Sequence, residues 1–237
     1  MPAARAWRNM EFVDQDEANK KPAANCPMWD GTGRQAITAG KFVNYLFDNF
    51  RLVKGEDIRK YYAEKNHAPG SGQLQTSCMR YDGTHGGRNC QTYFDIYVEN
   101  PDKCNMLVLL DDNGKVLGRA LVWFGLKKPL DKIFMDRIYT LKQSDEELFK
   151  KYANEKGWLW KYRQAANDQS YIENGQRIDK SMAVTLKPKE YKKYPYMDTF
   201  KYYNPKTGRL GTDAGNPVEG RRRIRMEATD GSFQYID

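Results

Sequence analysis

The sequence predicts an α+β protein whose centre is a mixed, mostly antiparallel sheet flanked by helices. Three observations lead to this fold class. Residues 106–140 form three consecutive strand-like segments, residues 144–157 carry helix signals, and residues 158–163 form a further strand-like segment. Strands that precede and follow a helix in this way favour one sheet with both antiparallel and parallel neighbours.

The three central strands are predicted from apolar runs separated by a turn. Met106–Leu110 is continuously apolar, which indicates burial on both faces. Residues 111–114 read DDNG, and these residue types tolerate the left-handed backbone of a tight hairpin turn. The second strand is then Val116–Trp123 and the third is Ile133–Thr140.

Charged residues interrupt two of these strands. Arg119 alternates with apolar neighbours in the second strand, and Asp136 and Arg137 lie within the third. The two-residue period of a strand predicts that Asp136 and Arg137 face opposite sides of the sheet. Because buried charges are normally matched, we expect Arg119 to pair with Asp136, and the alternative is that these charges surround a ligand.

The helix that follows the third strand has recognisable ends. Ser144 is a suitable N-cap with Glu147 three residues later, which is the pattern of a capping box, and Gly157 is the expected stop. The other predicted elements are helices over 38–50 and 56–66 and strands over 91–99 and 181–186.

Composition limits the class of protein. The 237 residues suffice for one large domain or two small ones, 30% of them are charged, and no apolar run approaches the length of a bilayer. The beginning of the chain has no apolar signal-peptide core, so we predict a cytoplasmic protein without membrane contact. We predict an irregular arm over 1–34, a core over 35–164, and over 165–237 a basic and aromatic strand-and-loop extension that packs on the core.

The cysteines are predicted to be free thiols. Cys26, Cys78, Cys90 and Cys104 show no CxxC spacing. A zinc site drawn from Cys78, His85, Cys90 and Cys104 matches no common zinc module, so no metal is predicted. Cys78 is a candidate nucleophile with His67 or His85 as its base, and the alternative is a small buried residue.

A second candidate site lies at the central sheet. Arg80, Arg119 and Arg137 could together clamp a phosphate or a carboxylate. Trp123 and Tyr139 are possible walls of such a site, and Asp136 and Tyr139 are its candidate catalytic groups. The alternative is a purely structural charge network.

The C-terminal region suggests contact with nucleic acid. The net charge of +8 permits a polyanionic partner, although 31 acidic residues are interspersed. Tyrosines lie among the basic residues of this region, a composition that suits single strands. The basic candidates are Lys192, Lys193, Arg221, Arg222, Arg223 and Arg225. A solvated basic face beside core tyrosines explains the same residues.

The order of elements over residues 38–163 resembles the GNAT-type acyltransferase fold. The resemblance implies a core of that fold in which a loop of the form R/Q-x-x-G-x-G/A holds the pyrophosphate of acetyl-CoA. The matching loop, residues 141–147, has no glycine and carries Asp145, Glu146 and Glu147. Acetyl-CoA is therefore not expected to bind in the family's manner, and the core is expected to be that of a pseudoenzyme.

Several motifs resemble an uncharacterised family encoded by tailed bacteriophages. They are SCMR at 77–80, YFDIYVENP at 93–101, GRALVW at 118–123, FMDRIYT at 134–140 and YPYMDTF at 194–200. This resemblance implies a phage origin and brings no known activity. With the element order and the missing glycine loop, it leads us to expect a phage-encoded accessory protein in the host cytoplasm. The alternatives are a protein that binds nucleic acid, or a host or phage nucleic-acid enzyme, and a virion or assembly component.

Overall fold

The computed structural model describes residues 47–84, 87–166 and 168–213, and the backbone of two short strands at 225–227 and 233–235. By backbone contacts the chain divides between Asp48 and Asn49, and the architecture below belongs to the second unit. The predicted arm over 1–34 and most of the predicted helix over 38–50 lie outside the described residues. The end of that helix prediction is wrong, because residues 47–49 form a turn and Phe50 begins a strand.

The main sheet has seven strands that follow one another in chain order. They are β1 (Phe50–Lys54), β2 (Cys104–Leu110), β3 (Val116–Trp123), β4 (Phe134–Thr140), β5 (Leu159–Lys161), β6 (Tyr171–Glu173) and β7 (Gln176–Ile178). Every neighbouring pair is antiparallel except β4 and β5, which are parallel. The α+β class and the mixed, mostly antiparallel sheet are therefore confirmed.

A second sheet of five short strands comes from the C-terminal region. Its members are β8 (Ala183–Thr185), β9 (Tyr202–Asn204), β10 (Arg209–Gly211), β11 (Arg225–Glu227) and β12 (Phe233–Tyr235), in the order β12-β11-β9-β10-β8. Val184, Tyr203 and Leu210 belong to the same buried cluster as Trp123 and Phe134 of the main sheet. The C-terminal region thus covers part of one face of the main sheet.

The helices are short, with one exception. They are α1 (Asp57–Tyr62), α2 (Gln73–Thr76), α3 (Asp95–Val98) and α4 (Gln143–Glu155), with 3₁₀ turns at Glu64–Asn66 and Gln91–Tyr93. The strand predicted over 91–99 is wrong, because this segment forms the second 3₁₀ turn and α3. Its apolar residues also fit one helical face, and the ring of Phe94 stacks on that of Tyr62 with the centroids 4.2 Å apart.

Helix α4 packs on the opposite face of the sheet from α1 and α3. Phe149 of α4 meets the ring of Phe50 with the centroids 4.9 Å apart, and a Cβ atom at Gly118 would lie 2.8 Å from the Phe149 ring. The helix begins two residues earlier than predicted. Lys142 is its N-cap and makes no side-chain capping bond, so the capping box predicted at Ser144 is wrong.

Candidate functional site

A β-bulge in β4 creates the centre of the candidate site. Ala120 of β3 pairs with Ile138, and Val122 pairs with Met135. One residue of β3 between these pairs therefore opposes two residues of β4, Asp136 and Arg137. Such a bulge breaks the alternation of side chains. The prediction that Asp136 and Arg137 face opposite sides is wrong, because both line the same recess.

The sheet also separates next to this bulge. Strands β4 and β5 pair only at Phe134 with Leu159 and at Met135 with Trp160. Beyond that point the backbone N–H of Ile138 donates to the side-chain oxygen of Gln164 at 2.7 Å, and the Gln164 amide donates to the carbonyl of Lys161 at 2.6 Å. One side chain therefore spans the gap between the strands. The strands that end near Trp123 and Thr140, by contrast, stay paired.

Arg119 is buried as predicted, with 2% of its surface exposed. One terminal nitrogen donates to the hydroxyl of Ser77 at 2.8 Å, while the Nε atom is buried without a partner. The guanidinium carbon lies 3.9 Å from the ring centroid of Tyr62 and 4.7 Å from that of Tyr139. Among the described residues it forms no salt bridge, so the expected pairing of Arg119 with Asp136 is wrong.

Arg137 is the guanidinium of the site that has a carboxylate partner. It donates to one oxygen of Asp198 at 2.9 Å, and the hydroxyl of Tyr139 donates to the other oxygen at 2.7 Å. Both oxygens of Asp198 are thereby occupied, although the Nε atom of Arg137 remains buried without a partner. Burial, and then the charge of Asp198, raise the pKa of Tyr139, which makes this phenol a poor proton donor.

Asp136 is connected to a buried lysine through a hydroxyl group. Lys161 is fully buried, and its Nζ atom donates to the hydroxyl of Thr199 at 2.8 Å and to the carbonyl of Asp168. The Thr199 hydroxyl in turn donates to Asp136 at 2.5 Å, and the same carboxylate oxygen accepts the backbone N–H of Arg137. The aspartate and the lysine are therefore linked without direct contact.

The protein environment favours the neutral forms of both Asp136 and Lys161. Burial raises the pKa of Asp136, and the nearby Lys161 opposes that change. Burial lowers the pKa of Lys161, and Asp136 opposes that change in turn. The pKa of the carboxyl group and the pKa of the amine are shifted towards each other, and a hydroxyl group connects the two. Such a pair can exchange a proton, as pairs in many functional sites do.

These groups surround a small recess. It is lined by Tyr62, Tyr97, Arg119, Leu121, Asp136, Arg137, Tyr139, Tyr196, Met197 and Asp198, and its open volume is about 20 Å³. That volume is close to the space that one water molecule needs. Only Arg137, Tyr139 and Tyr196 of this lining are half-buried, so the mouth of the recess lies among them.

Two predicted residues of the ligand site lie elsewhere. Arg80 forms a salt bridge with Glu64 at 3.4 Å and packs over the ring of Tyr81, and it does not line the recess. Trp123 is fully buried between the rings of Tyr97 and Phe200, so it is a core residue rather than a wall of the recess. The structure therefore brings together Arg119, Arg137, Asp136 and Tyr139 from the predicted set.

The predicted thiol site is not assembled among the described residues. Cys78 is exposed, whereas His67 is 6% exposed and neither of its ring nitrogens has a hydrogen-bond partner. Burial and the nearby Arg119 lower the pKa of His67 to about 4. His85 lies outside the described residues. In the part of the chain that the structure describes, no group of metal-ligating side chains is found.

The basic C-terminal candidates are only partly described. Lys192 and Lys193 are exposed, and the Nζ atom of Lys193 lies 5.2 Å from the ring centroid of Tyr93. The tyrosines expected to stack on bases are instead buried, since Tyr191 and Tyr194 are 3% and 5% exposed. The residues 221–223 lie outside the described residues, as does the side chain of Arg225.

Sequence reasoning missed four residues of the site: Ser77, Lys161, Asp198 and Thr199. The signal for two of them was present, because Asp198 and Thr199 are the polar pair inside the otherwise apolar and aromatic run 194–200. Lys161 offered no such signal, since a lysine between aromatic residues of a short strand is usually exposed.

Comparisons with known proteins add no identity to this geometry. No protein-family model, no curated protein and no solved structure matches the chain. The resemblances to acyltransferases and to bacteriophage proteins therefore stay predictions. None of the described helices is long and apolar enough to cross a membrane.

Proposed function

We propose that this chain is an accessory protein with an acyltransferase-like core that does not bind acetyl-CoA in the manner of that family. Support for the core comes from the order β4, α4, β5, with β4 and β5 parallel and separating after two pairs of residues. Support for the missing cofactor comes from the loop between β4 and α4, where the resemblance implies pyrophosphate binding.

The observation that carries the proposal is the packing of Gly72 over this loop. A Cβ atom at Gly72 would lie 2.6 Å from the carbonyl oxygen of Leu141 and 2.7 Å from that of Thr140. The chain thus runs directly against the loop backbone. In addition, the backbone N–H of Leu141 donates to Leu117 and that of Asp145 donates to Lys142. The N–H groups of Leu141 and Asp145 are therefore not free to bind a pyrophosphate.

The charge of the loop between β4 and α4 also disfavours the binding of a pyrophosphate, as its packing does. Asp145 and Glu146 lie in the first turn of α4, where they already interact favourably with the helix dipole. Glu146 is buried and pairs with Lys150 at 2.8 Å. A pyrophosphate at this end of the helix would meet these carboxylates, and the repulsion would weaken its binding.

Titration calorimetry with acetyl-CoA and with CoA tests the proposal. We expect no binding heat from the wild-type chain. The double variant Asp145→Asn, Glu147→Gln separates the two causes, because it removes charge and leaves the Gly72 contact intact. We expect no binding heat from this variant either. Micromolar binding by the wild type would overturn the proposal, and binding by the variant alone would show that charge, not packing, excludes the cofactor.

Nucleic-acid binding is a second candidate, favoured by the exposure of Lys192 and Lys193. Because Tyr191 and Tyr194 are buried, such binding would depend on phosphate contacts and would fall steeply with salt. A filter-binding series with single-stranded DNA at increasing salt tests it. The variant Lys192→Glu, Lys193→Glu should reduce both the affinity and the salt slope, and equal binding by this variant would exclude these lysines.

A further inference from the structure

Arg119 is a buried charge whose compensation within the described residues is incomplete. A guanidinium removed from water needs an anion or a full set of hydrogen-bond acceptors. Arg119 has the Ser77 hydroxyl and two aromatic rings, while its Nε atom has nothing. Aromatic rings over a cation offset only a small part of the cost of removing a guanidinium from water. The site is therefore one acceptor group short.

The acidic residues of the site accept hydrogen bonds from groups other than Arg119, and the second oxygen of Asp136 accepts none among the described residues. Asp198 accepts from Arg137 and from Tyr139 with its two oxygens. Asp136 accepts from Thr199 and from the backbone of Arg137. Neither carboxylate forms a salt bridge with Arg119, so the missing acceptor is not one of these neighbours.

Donors without partners gather around the same recess. The Nε atoms of Arg119 and Arg137 are both buried without a hydrogen bond. Tyr62 and Tyr97 also line the recess, and among the described residues no hydrogen bond of either hydroxyl is found. Two guanidiniums and two phenols therefore present donor groups to one small space, and a ligand that satisfies them must supply acceptors.

We propose that the recess between Arg119, Tyr62 and Arg137 binds the carboxylate group of a small organic ligand. A carboxylate is planar and matches the fork of a guanidinium, and its two oxygens can accept from several donors at once. The open volume of about 20 Å³ has room for one oxygen atom of the carboxylate, so the second oxygen lies towards the mouth of the recess. The remainder of the ligand would leave through the mouth beside Tyr196. This binding does not depend on whether the core holds acetyl-CoA.

Sodium acetate is the probe, with sodium chloride and sodium phosphate at equal ionic strength as comparisons. The Nε–H signals of arginine in a ¹⁵N NMR titration report binding directly, and the Arg119 signal is assigned from its loss in Arg119→Met. We expect a saturable shift of that signal with acetate, with an apparent Kd below about 50 mM, and no saturation with chloride. Saturation with phosphate but not with acetate would overturn the carboxylate class.

Variants separate the site from general effects of anions. Tyr62→Phe keeps the ring under Arg119 and removes one donor, so acetate should bind at least about threefold more weakly. Arg80→Met is the control, because Arg80 is a half-buried arginine that pairs with Glu64 away from the recess. Acetate affinity should not change in that variant. Equal acetate affinity in Tyr62→Phe and the wild type, or no saturable shift at Arg119, would overturn the proposal.

Discussion

At the scale of single residues, the buried Arg119 and the half-buried Arg137 of the sheet differ in whether a carboxylate compensates their charge. Arg137 has a carboxylate partner in Asp198, and Arg119 has none among the described residues. Removing one member of a buried ion pair leaves an uncompensated charge, whereas replacing an unpaired buried charge by an apolar group removes a cost. The same substitution should therefore change stability in opposite directions at the two positions.

Substitution by methionine at each position tests this difference. We expect Arg119→Met to leave the free energy of unfolding unchanged or to raise it by up to about 2 kcal/mol. Arg137→Met should lower it by about 2 kcal/mol, because Asp198 loses its charged donor. Urea denaturation at neutral pH, without carboxylate buffers, measures both. A large loss of stability in Arg119→Met would show that its charge is compensated after all.

His67 makes stability depend on pH in a defined window. Its pKa is about 4 in the folded protein and 6.5 in the unfolded chain, so the unfolded state takes up the proton first as the pH falls. Stability is complete above pH 6.5 and is lost as the pH falls towards 4, by about 3 kcal/mol at the low end.

The variant His67→Phe isolates this contribution. It removes the titrating group at a site where neither ring nitrogen has a partner, so the fold should tolerate it. The difference in unfolding free energy between wild type and variant should shift against the wild type as the pH falls from 6.5 to 4. Parallel pH profiles, measured by urea denaturation, would contradict the burial of a neutral His67.

The burial of Arg119 and Asp136 could be predicted from sequence, but their partners could not. Both residues interrupt apolar strands, and a charge in that position must lie inside the sheet or distort it. The pairing inference failed because Thr199, 63 positions after Asp136, donates to that carboxylate, while Arg119 donates to Ser77. A local pattern contains no information about which distant segment returns to cover a strand.

At the scale of elements, the bulge in β4 decides which side chains meet. A regular strand would have placed only one of Asp136 and Arg137 on the recess. The FMDRIYT pattern gave no sign of the extra residue, since a bulge changes the register without changing the apolar periodicity of the flanking residues. The three strands of the central stretch could nevertheless be predicted, because the DDNG turn fixes where the first hairpin reverses.

The start of α4 provides an element-scale test. Ser144 lies inside the first turn, so Ser144→Ala should change the unfolding free energy by less than about 0.5 kcal/mol. Lys142 is the N-cap with an extended backbone and no capping bond, so Lys142→Ser should raise it by about 1 kcal/mol. Thermal or urea unfolding measures both variants. A large loss of unfolding free energy in Ser144→Ala, with no gain in Lys142→Ser, would support the capping box at Ser144.

At the scale of the whole molecule, the C-terminal region is part of the core. Met182, Val184, Phe200 and Leu210 are fully buried, and the ring of Phe200 packs against that of Trp123 with the centroids 5.1 Å apart. The sequence predicted a basic and aromatic extension there. What it could not show is that this extension supplies Tyr196 and Asp198 to the recess and covers part of one face of the main sheet.

Removing this region should therefore unfold the protein. A fragment that ends at residue 164 keeps β1 to β5 but exposes Trp123 and Phe134 and removes both Asp198 and Thr199. We expect a fragment without a cooperative unfolding transition and without dispersed NMR signals. A cooperatively folded fragment would mean that residues 35–164 form an independent domain.

The amide of Gln164 has a consequence for how this architecture can diverge. Where β4 and β5 separate, the side chain of Gln164 replaces the backbone hydrogen bonds that join neighbouring strands elsewhere in the sheet. A single substitution of Gln164 leaves a gap between the parallel strands β4 and β5, and free backbone groups line this gap. A protein that evolves from this one therefore acquires a new crevice through one mutation, without rearrangement of the remaining strands.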